Sequence, residues 1–227
     1  MSHIAVRRAA ACAAVSTAAL MVLTEGSEPT ASTYEVARSV THLVVNARAS
    51  NVIIEAGDGP ISVTETYGPT GDNPRTFHQV EGTTLRITDT GCRRPGRCQV
   101  EIRARVPAAT AADITTRAGA VRLSGLHGEV AVVNEAGTVE ASGLGSARVS
   151  ANTRTGLISL SSFKPPNAVK AWTALGSVVI KVPKTKAYAV DVSTALGGSE
   201  ILVPRHAASP HKISLRTDLS GVRVEGI

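Results

Sequence analysis

The sequence predicts an all-β protein, and specifically a parallel β-solenoid with rungs of about 20 residues. Three observations support this fold class. A four-residue element, Thr or Asn followed by two variable residues and Gly, recurs through the C-terminal half. Apolar and polar residues alternate on both sides of this element, as in strands with one buried face. The composition, with 20 Gly, 11 Pro and 3% aromatic residues, favours short strands and a core of small aliphatic residues.

The first 26 residues have the three regions of a secretory signal. Arg7 and Arg8 supply a positive start, residues 9–23 are almost entirely small and apolar, and a small-residue exit ends at Gly26. The apolar run is short for a membrane span, which needs about 20 residues. We therefore expect residues 1–26 to be a signal peptide that is removed, with an uncleaved anchor as the alternative.

A lipid anchor is not expected, because lipidation requires a Cys directly behind the apolar run. Cys12 lies inside that run, and Gly26-Ser27 stands where a lipidated Cys would be. We expect the protein to be extracellular or held in the cell envelope, without a stable membrane span. The formal net charge of +6 is carried by scattered Lys and Arg residues, a pattern that does not predict nucleic-acid binding.

Behind the signal, residues 27–33 are expected to form a short flexible linker and residues 34–227 a single β-strand-repeat domain. Within this domain, residues 34–111 form an irregular opening part and residues 112–227 the regular repeats. A solenoid needs its first rung capped, and a hairpin that carries Cys92 and Cys98 is the candidate cap. The strand candidates of the opening part are residues 43–45, 52–54 and 61–67.

Two further alternating segments, 84–88 and 99–106, flank a Pro-Gly turn and predict a β-hairpin. Cys92 and Cys98 then lie across the hairpin tip. An even number of cysteines in an exported chain indicates a disulfide, because export leads to an oxidising compartment. A metal site is the alternative, but two thiolates without a nearby His are too few ligands. A redox pair would require the closer CxxC spacing.

The repeated element occurs six times, and its last copy is looser than the others. Successive glycines are spaced 18, 19, 20, 21 and 24 residues apart, a period typical of a solenoid or a regular β array. The Gly allows a backbone conformation that other residues avoid, and the Thr or Asn side chain can bond the local backbone. The copies are Thr116-Arg-Ala-Gly119, Asn134-Glu-Ala-Gly137, Thr153-Arg-Thr-Gly156, Thr173-Ala-Leu-Gly176, Thr194-Ala-Leu-Gly197 and Thr217-Asp-Leu-Ser-Gly221.

The residues two and four positions before each Thr or Asn are apolar, whereas the residue between them is mostly polar. In-register stacking would place Arg117, Glu135 and Arg154 in one row and Arg122 beside Glu140. An antiparallel β-sandwich shares the alternation and is the alternative fold, although it would not require the same turn in every copy. The apolar positions are Ala112, Ile114, Val130, Val132, Val149, Ala151, Val169, Ala171, Val190, Val192, Ile213 and Leu215.

The order of these features resembles the bacterial "putative adhesin" β-strand-repeat family of unknown function, over roughly residues 34–227. The resemblance implies a β-solenoid fold and a cell-envelope setting, and it implies no catalytic residues. Many members carry a lipid-anchor Cys behind the signal, where this chain has Ser27. The matching residues are Cys92, Cys98, Val106-Pro107 and the repeats from Thr116 to Ile180, with similar strand endings at Val182-Pro183 and Val203-Pro204.

The sequence contains no recognisable enzyme active site, so we predict a non-catalytic protein without cofactor or metal. No two of the six histidines have metal-ligand spacing, and neither a nucleophile elbow nor a phosphate loop is present. A polysaccharide-acting solenoid enzyme, a further alternative, would need clustered carboxylates. The outward row instead places Ala131, Ser150 and Lys170 between Asp113 and Asp191.

Two features are candidate binding surfaces. Trp172 precedes a repeat Thr, which predicts an outward ring near Lys170 that could stack on a sugar; the alternative is packing under a loop. Arg93, Arg94 and Arg97 at the hairpin tip would contact an anionic polymer or form a solvated turn. We therefore predict adhesin-like binding to an anionic wall polymer, a glycan or an envelope protein. The alternative is a structural or assembly role in the envelope.

Overall fold

The computed structural model describes residues 29–68, 76–91 and 100–227, in which all regular secondary structure is β-strand. The predicted signal peptide, residues 1–26, lies outside the described residues, and so do Cys92, Cys98 and the arginines between them. The strands are β1 (Thr30–Val36), β2 (His42–Ala56), β3 (Ile61–Tyr67), β4 (Thr76–Glu81), β5 (Thr84–Asp89), β6 (Val100–Val106), β7 (Ala111–Ala118), β8 (Val121–Ser124), β9 (Val130–Ala136), β10 (Val139–Leu144), β11 (Arg148–Thr155), β12 (Ile158–Ser162), β13 (Ala168–Leu175), β14 (Val178–Val182), β15 (Ala189–Thr194), β16 (Ser199–Leu202), β17 (Lys212–Thr217) and β18 (Val222–Gly226).

The strands form two ladders, and the chain passes from the first ladder to the second at each glycine turn. In spatial order the first ladder contains β4, β5, the first half of β2, β7, β9, β11, β13, β17 and β15. The second ladder contains β1, β3, β6, the second half of β2, β8, β10, β12, β14, β18 and β16. Neighbouring strands are parallel except in the pairs β1–β3, β3–β6 and β4–β5.

Equivalent residues of successive repeats lie side by side in the regular part. On the second ladder Val121 pairs with Val139, Val139 with Ile158, and Ile158 with Val178. All four side chains are fully buried in a core that both ladders share. The apolar positions before the repeat Thr or Asn are likewise buried in the first four copies. The predicted all-β, parallel, solenoid-like fold and its one-sided alternation are confirmed, and the antiparallel sandwich is not the observed arrangement.

The glycine turns stack so closely that neighbouring backbones touch. Gly137, Gly156 and Gly176 have φ between +140° and +146°, which L side chains rarely adopt. A Cβ on any of these three would overlap the carbonyl oxygen of the glycine in the preceding rung. Glycine is therefore required here both by the positive φ and by the lack of space.

The Thr and Asn side chains of the turns bond in two different ways. Asn134 Nδ2 donates to the carbonyl oxygen of Gly119 at 3.0 Å, and Thr173 Oγ1 to that of Gly156 at 3.2 Å. These bonds join one rung to the next. By contrast, the hydroxyl of Thr116 donates to the carbonyl of Ala118 within its own turn, as the sequence predicts.

The opening part departs from the predicted hairpin. β5 and β6 do not pair with each other: β5 pairs with the first half of β2, and β6 with the second half. The hairpin prediction was wrong because β2 offers each strand a parallel partner in a different ladder. The hairpin that the structure shows joins β4 to β5 around Gly82.

The first strand begins inside the segment expected to be a linker. β1 starts at Thr30, and its seven residues pair antiparallel with β3 from Thr30↔Tyr67 to Val36↔Ile61. Backbone pairing with β3 thus orders a polar stretch whose side chains gave no sign of a strand. β1, β3 and β4 are antiparallel strands that cover this end of the two ladders.

The sixth repeat lies between the fourth and the fifth, so the last two rungs are out of chain order. β17 pairs with β13 on one side and β15 on the other, and β18 lies between β14 and β16. Ile213 and Leu215 of the sixth copy are 0% and 3% exposed, whereas Val190 and Val192 of the fifth are only partly buried. The more apolar copy thus occupies the position that has neighbours on both sides.

Candidate functional site

The outer face of the second ladder is a network of ion pairs over a shallow groove of about 810 Å³. Arg122 Nε lies 3.1 Å from Glu140 Oε2, so the predicted pairing of these residues is confirmed. Glu55 and Glu101, which also line the groove, lie 3.6 Å and 3.4 Å from Arg103. The carboxylates of this groove therefore face guanidinium groups, an arrangement unlike the carboxylate pair of a glycosidase.

The second predicted charge row forms no ion pairs among the described residues. No ion pair within 4.0 Å joins Arg117, Glu135 and Arg154 in the described part of the chain. The pairing of β9 with β11 includes Thr153↔Asn134 and Thr155↔Ala136 but omits the residues between them. The pairs on either side keep the same register, so Glu135 and Arg154 lie at equivalent positions without forming an ion pair.

The outer face of the first ladder carries Trp172, the one Trp of the chain. Trp172 is half-buried and pairs with Asn152 on one side and Arg216 on the other. Ser193 pairs with Arg216 in turn, so these four residues form one row across four strands. The ring thus lies among exposed strand side chains on the outer face.

A second row runs parallel to the first, two residues earlier along each strand. It contains Ser150, Lys170, Ser214 and Asp191, each paired with the next. The two rows enclose a groove of about 500 Å³, which we call the Trp172 groove. Four strands spaced about 4.8 Å apart give it a length of about 14 Å.

Charges are unevenly distributed around the Trp172 groove. Lys170 has Ser150 and Ser214 as its strand neighbours and makes no ion pair among the described residues. Arg216 bonds Asp218 through Nε at 3.4 Å. The groove therefore offers an aromatic surface, hydroxyl and amide groups and at least one unpaired cation, a set that can hold a polar ligand without reacting with it.

A separate polar cluster lies at the end covered by antiparallel strands. Glu65 is 4% exposed, and it accepts hydrogen bonds from the hydroxyls of Tyr34 at 3.2 Å, Tyr67 at 2.6 Å and Thr76. Burial and the Glu65 carboxylate raise the pKa of Tyr34 well above its ordinary value. Burial, followed by the hydrogen bond to Glu65, raises the pKa of Tyr67 to about 12. The cluster ties β1, β3 and β4 together and has a structural role.

Sequence reasoning identified Trp172 and Lys170 but missed Arg216 as their partner. The repeat order would place Ser193 next to Trp172, whereas the observed neighbour is Arg216 from the displaced sixth copy. A signal for this exists in the stronger apolar character of Ile213 and Leu215. The predicted contact residues Arg93, Arg94 and Arg97 lie outside the described residues.

Two general features of the described residues bear on the site. No three His, Cys, Asp or Glu side chains in this part of the chain are grouped as they would be around a metal ion. Nor do residues 29–68, 76–91 and 100–227 contain a helix that could cross a membrane.

Comparison with known proteins gives the fold a context. No protein-family model and no curated protein matches the chain. Among solved structures, a putative cell adhesion protein from Clostridium sporogenes has a TM-score of 0.53 and 9% identity, covering 88% of this chain and 100% of its own. A putative adhesin from Bacteroides fragilis has a TM-score of 0.42 and 14% identity, covering 87% of this chain and 97% of its own. A putative lipid binding protein from Parabacteroides distasonis has a TM-score of 0.35 and 14% identity, covering 86% and 96%.

The first of these structures shares the fold of this chain, and the low identity limits the likeness to the fold. That structure is of a putative cell adhesion protein, which agrees with the family that the sequence resembles. The resemblance seen in the sequence is confirmed at this level.

Proposed function

We propose that the chain is an exported, non-catalytic, adhesin-like protein that binds a glycan of the cell envelope through the Trp172 groove. The observation that carries this proposal is the half-buried Trp172 set among exposed polar and charged side chains on a regular β-face. A sugar ring has apolar faces and polar edges. It can therefore stack on an indole while its hydroxyls bond the surrounding amide, hydroxyl and carboxylate groups.

Export is the part of the proposal that depends on the sequence. The signal-like residues 1–26 support it, and so does the fold shared with a solved protein described as a cell adhesion protein. In an oxidising compartment outside the cytoplasm, Cys92 and Cys98 are expected to form a disulfide. Arg93, Arg94 and Arg97 would then provide a second, smaller contact with anionic polymer.

The absence of an enzymatic role rests on the arrangement of carboxylates. Glu55, Glu101 and Glu140 on the second ladder each lie within 3.6 Å of an arginine nitrogen. On the first ladder Asp113 bonds His42 at 2.9 Å, far along the ladder from Asp191. These placements support binding rather than hydrolysis.

Co-sedimentation of the purified protein with isolated bacterial cell envelopes tests the proposal. Trp172→Ala should weaken binding at least about tenfold, because buried aromatic anchors contribute about 2 kcal/mol or more to an interface. Phe163→Ala is the matched control, since Phe163 is an aromatic residue 49% exposed at a turn outside the groove. Equal binding by Trp172→Ala and wild type would rule out this groove as the binding site.

A further inference from the structure

We propose that the ligand of the Trp172 groove is an acidic saccharide, whose carboxylate or phosphate binds between Lys170 and Arg216. This inference rests on the proposed glycan-binding function and names the class of glycan. It follows from the position of the charged side chains relative to the ring.

The two cations occupy adjacent positions around Trp172. Lys170 lies two residues earlier on the same strand, so both side chains point outward from β13. Arg216 lies directly opposite Trp172 on β17. An anionic group attached to a sugar that stacks on the indole would therefore lie within reach of both cations.

A third cation extends the positive side of the groove. Lys212 is exposed on β17 and pairs with Ala168, so it lies diagonal to Lys170 across the two strands. Diagonal neighbours of this kind are within reach of long side chains. Lys170, Lys212 and Arg216 thus form a cationic side that a second acidic residue of the saccharide would also contact.

Two acidic side chains lie near Arg216. Asp218 bonds Arg216 Nε, and the terminal nitrogens of that guanidinium make no hydrogen bond within the described residues. These are the nitrogens that form paired bonds with a carboxylate or phosphate. Asp191 also lines the groove; it lies on the outermost strand, diagonal to Arg216, and is two strands and about 10 Å from the row position of Lys170.

These charges make the two ends of the groove chemically different. An acidic group is attracted to Lys170 and Arg216 and repelled at Asp191, where a carboxylate can instead accept hydrogen bonds from sugar hydroxyls. A neutral saccharide would leave Lys170 without a partner. The groove is therefore better matched to an acidic sugar than to a neutral one of the same size.

Isothermal titration of the purified protein with three probes tests this inference. The probes are an oligogalacturonate, the same oligosaccharide with its carboxyl groups reduced to alcohols, and an oligosaccharide that carries phosphate groups in place of the carboxylates. We expect binding of one or both anionic probes and at least about tenfold weaker binding of the reduced probe, because a bond between charged groups is worth roughly that factor. The carboxylate and phosphate arms distinguish the two sources of the anion.

The variants separate a specific site from general attraction to a basic protein. Lys170→Met and Arg216→Gln should each weaken binding of the anionic probe about tenfold. Lys164→Met is the control, because Lys164 is an exposed lysine at a turn with no ion pair among the described residues. Equal loss in the control would mean non-specific attraction and would overturn the inference.

Failure of the inference can be told apart from failure of the proposed function. If the reduced probe binds as well as the acidic one and Trp172→Ala weakens both, the groove binds neutral glycans and only the acidic assignment falls. If no probe binds while envelope binding still depends on Trp172, the acidic assignment also falls and the groove stands. If Trp172→Ala leaves both envelope and probe binding intact, both proposals fall.

Discussion

At each glycine turn the backbone of one rung passes directly over the backbone of the next. The stacked column of Gly119, Gly137, Gly156 and Gly176 leaves no volume for a side chain at any of its members. The side chains of Asn134 and Thr173 donate hydrogen bonds to glycine carbonyls of the preceding rung, whereas the hydroxyl of Thr116 bonds within its own turn. Each turn thus depends on two residues: a Gly, which has no side chain to occupy the space between the backbones, and a Thr or Asn, whose side chain forms a hydrogen bond.

Substitution in this column should be strongly destabilising. We expect Gly156→Ala to lower the free energy of unfolding by more than about 3 kcal/mol, because positive-φ strain adds to a clash with the Gly137 carbonyl. Gly59→Ala is the matched control: its φ is +94°, and a Cβ there meets no atom within 4 Å. The control should lose about 1–2 kcal/mol from strain. Urea unfolding of both variants measures the difference, and equal losses would contradict the stacked column.

The three tyrosines should make the protein sensitive to alkali. The folded-state pKa values of Tyr34, Tyr67 and Tyr188 are all raised, chiefly by burial. Between pH 10, where tyrosines of the unfolded chain ionise, and about pH 12 the folded state retains more protons, so stability falls as pH rises. Below pH 10 this contribution is constant. The fall in melting temperature from pH 9 to pH 11.5 should be smaller in Tyr34→Phe with Tyr67→Phe, and an unchanged fall would contradict the assignment.

Sequence reasoning succeeded best at this scale. The period of the turn glycines and the one-sided alternation around them identified nearly every core residue of the first four copies, because both signals repeat and reinforce each other. The Glu65 cluster was missed. Its partners Tyr34, Tyr67 and Thr76 come from three strands whose pairing is visible only in the fold.

At the scale of the elements, the last rung along the chain, β17 and β18, lies between two other rungs rather than at the end of the fold. β17 and β18 have a partner on each side, whereas β15 and β16 have one partner each among the described strands. Repeat spacing alone cannot reveal this exchange, because the fifth and sixth copies have compatible patterns. The two copies differ in how deeply their apolar residues are buried. The sixth copy has Ile213 and Leu215 where the fifth has the smaller Val190 and Val192.

Hydrogen exchange tests the exchanged order. Backbone amides of β17 and β18 should exchange more slowly than those of β15 and β16, although they lie closer to the C-terminus. Terminal segments ordinarily exchange fast, so slow exchange there would reflect strands on both sides. The regular strands β11 and β12 provide the internal reference, and faster exchange in β17 than in β15 would show that the rungs follow chain order.

The opening elements show a second limit of sequence reasoning. The two strand candidates at residues 43–45 and 52–54 form one continuous strand, β2, that contributes to both ladders. Its buried positions change phase at the exposed pair Arg48-Ala49, from Leu43, Val45 and Ala47 to Ser50, Val52 and Ile54, and this change marks the crossing between the ladders. Once β2 occupies both ladders, β5 and β6 pair with its two halves and cannot form a hairpin with each other.

For the whole molecule, the two outer faces have different chemistry. The face of the second ladder carries ion pairs between arginines and glutamates of neighbouring rungs, such as Arg223 with Glu200 at 3.1 Å. The face of the first ladder carries Trp172 with the cations Lys170, Lys212 and Arg216 around it. A ligand would therefore meet paired charges on the face of the second ladder, and an aromatic ring surrounded by cations on the face of the first. The identity of such a ligand depends on side chains of four strands and was beyond what the periodic pattern could predict.

The reordered rungs at both ends also bear on how a chain of this kind can change in length over evolution. β2 is built into one end between β5–β6 and β7–β8, and β17–β18 into the other end between two earlier rungs. The middle rungs, from β9 to β12, have equivalent neighbours above and below. Gene duplication of one middle turn would reproduce an existing interface, whereas adding a turn at either terminus would not. We therefore expect related chains of different length to differ in their middle rungs, with the rungs around the groove near the C-terminal end retained.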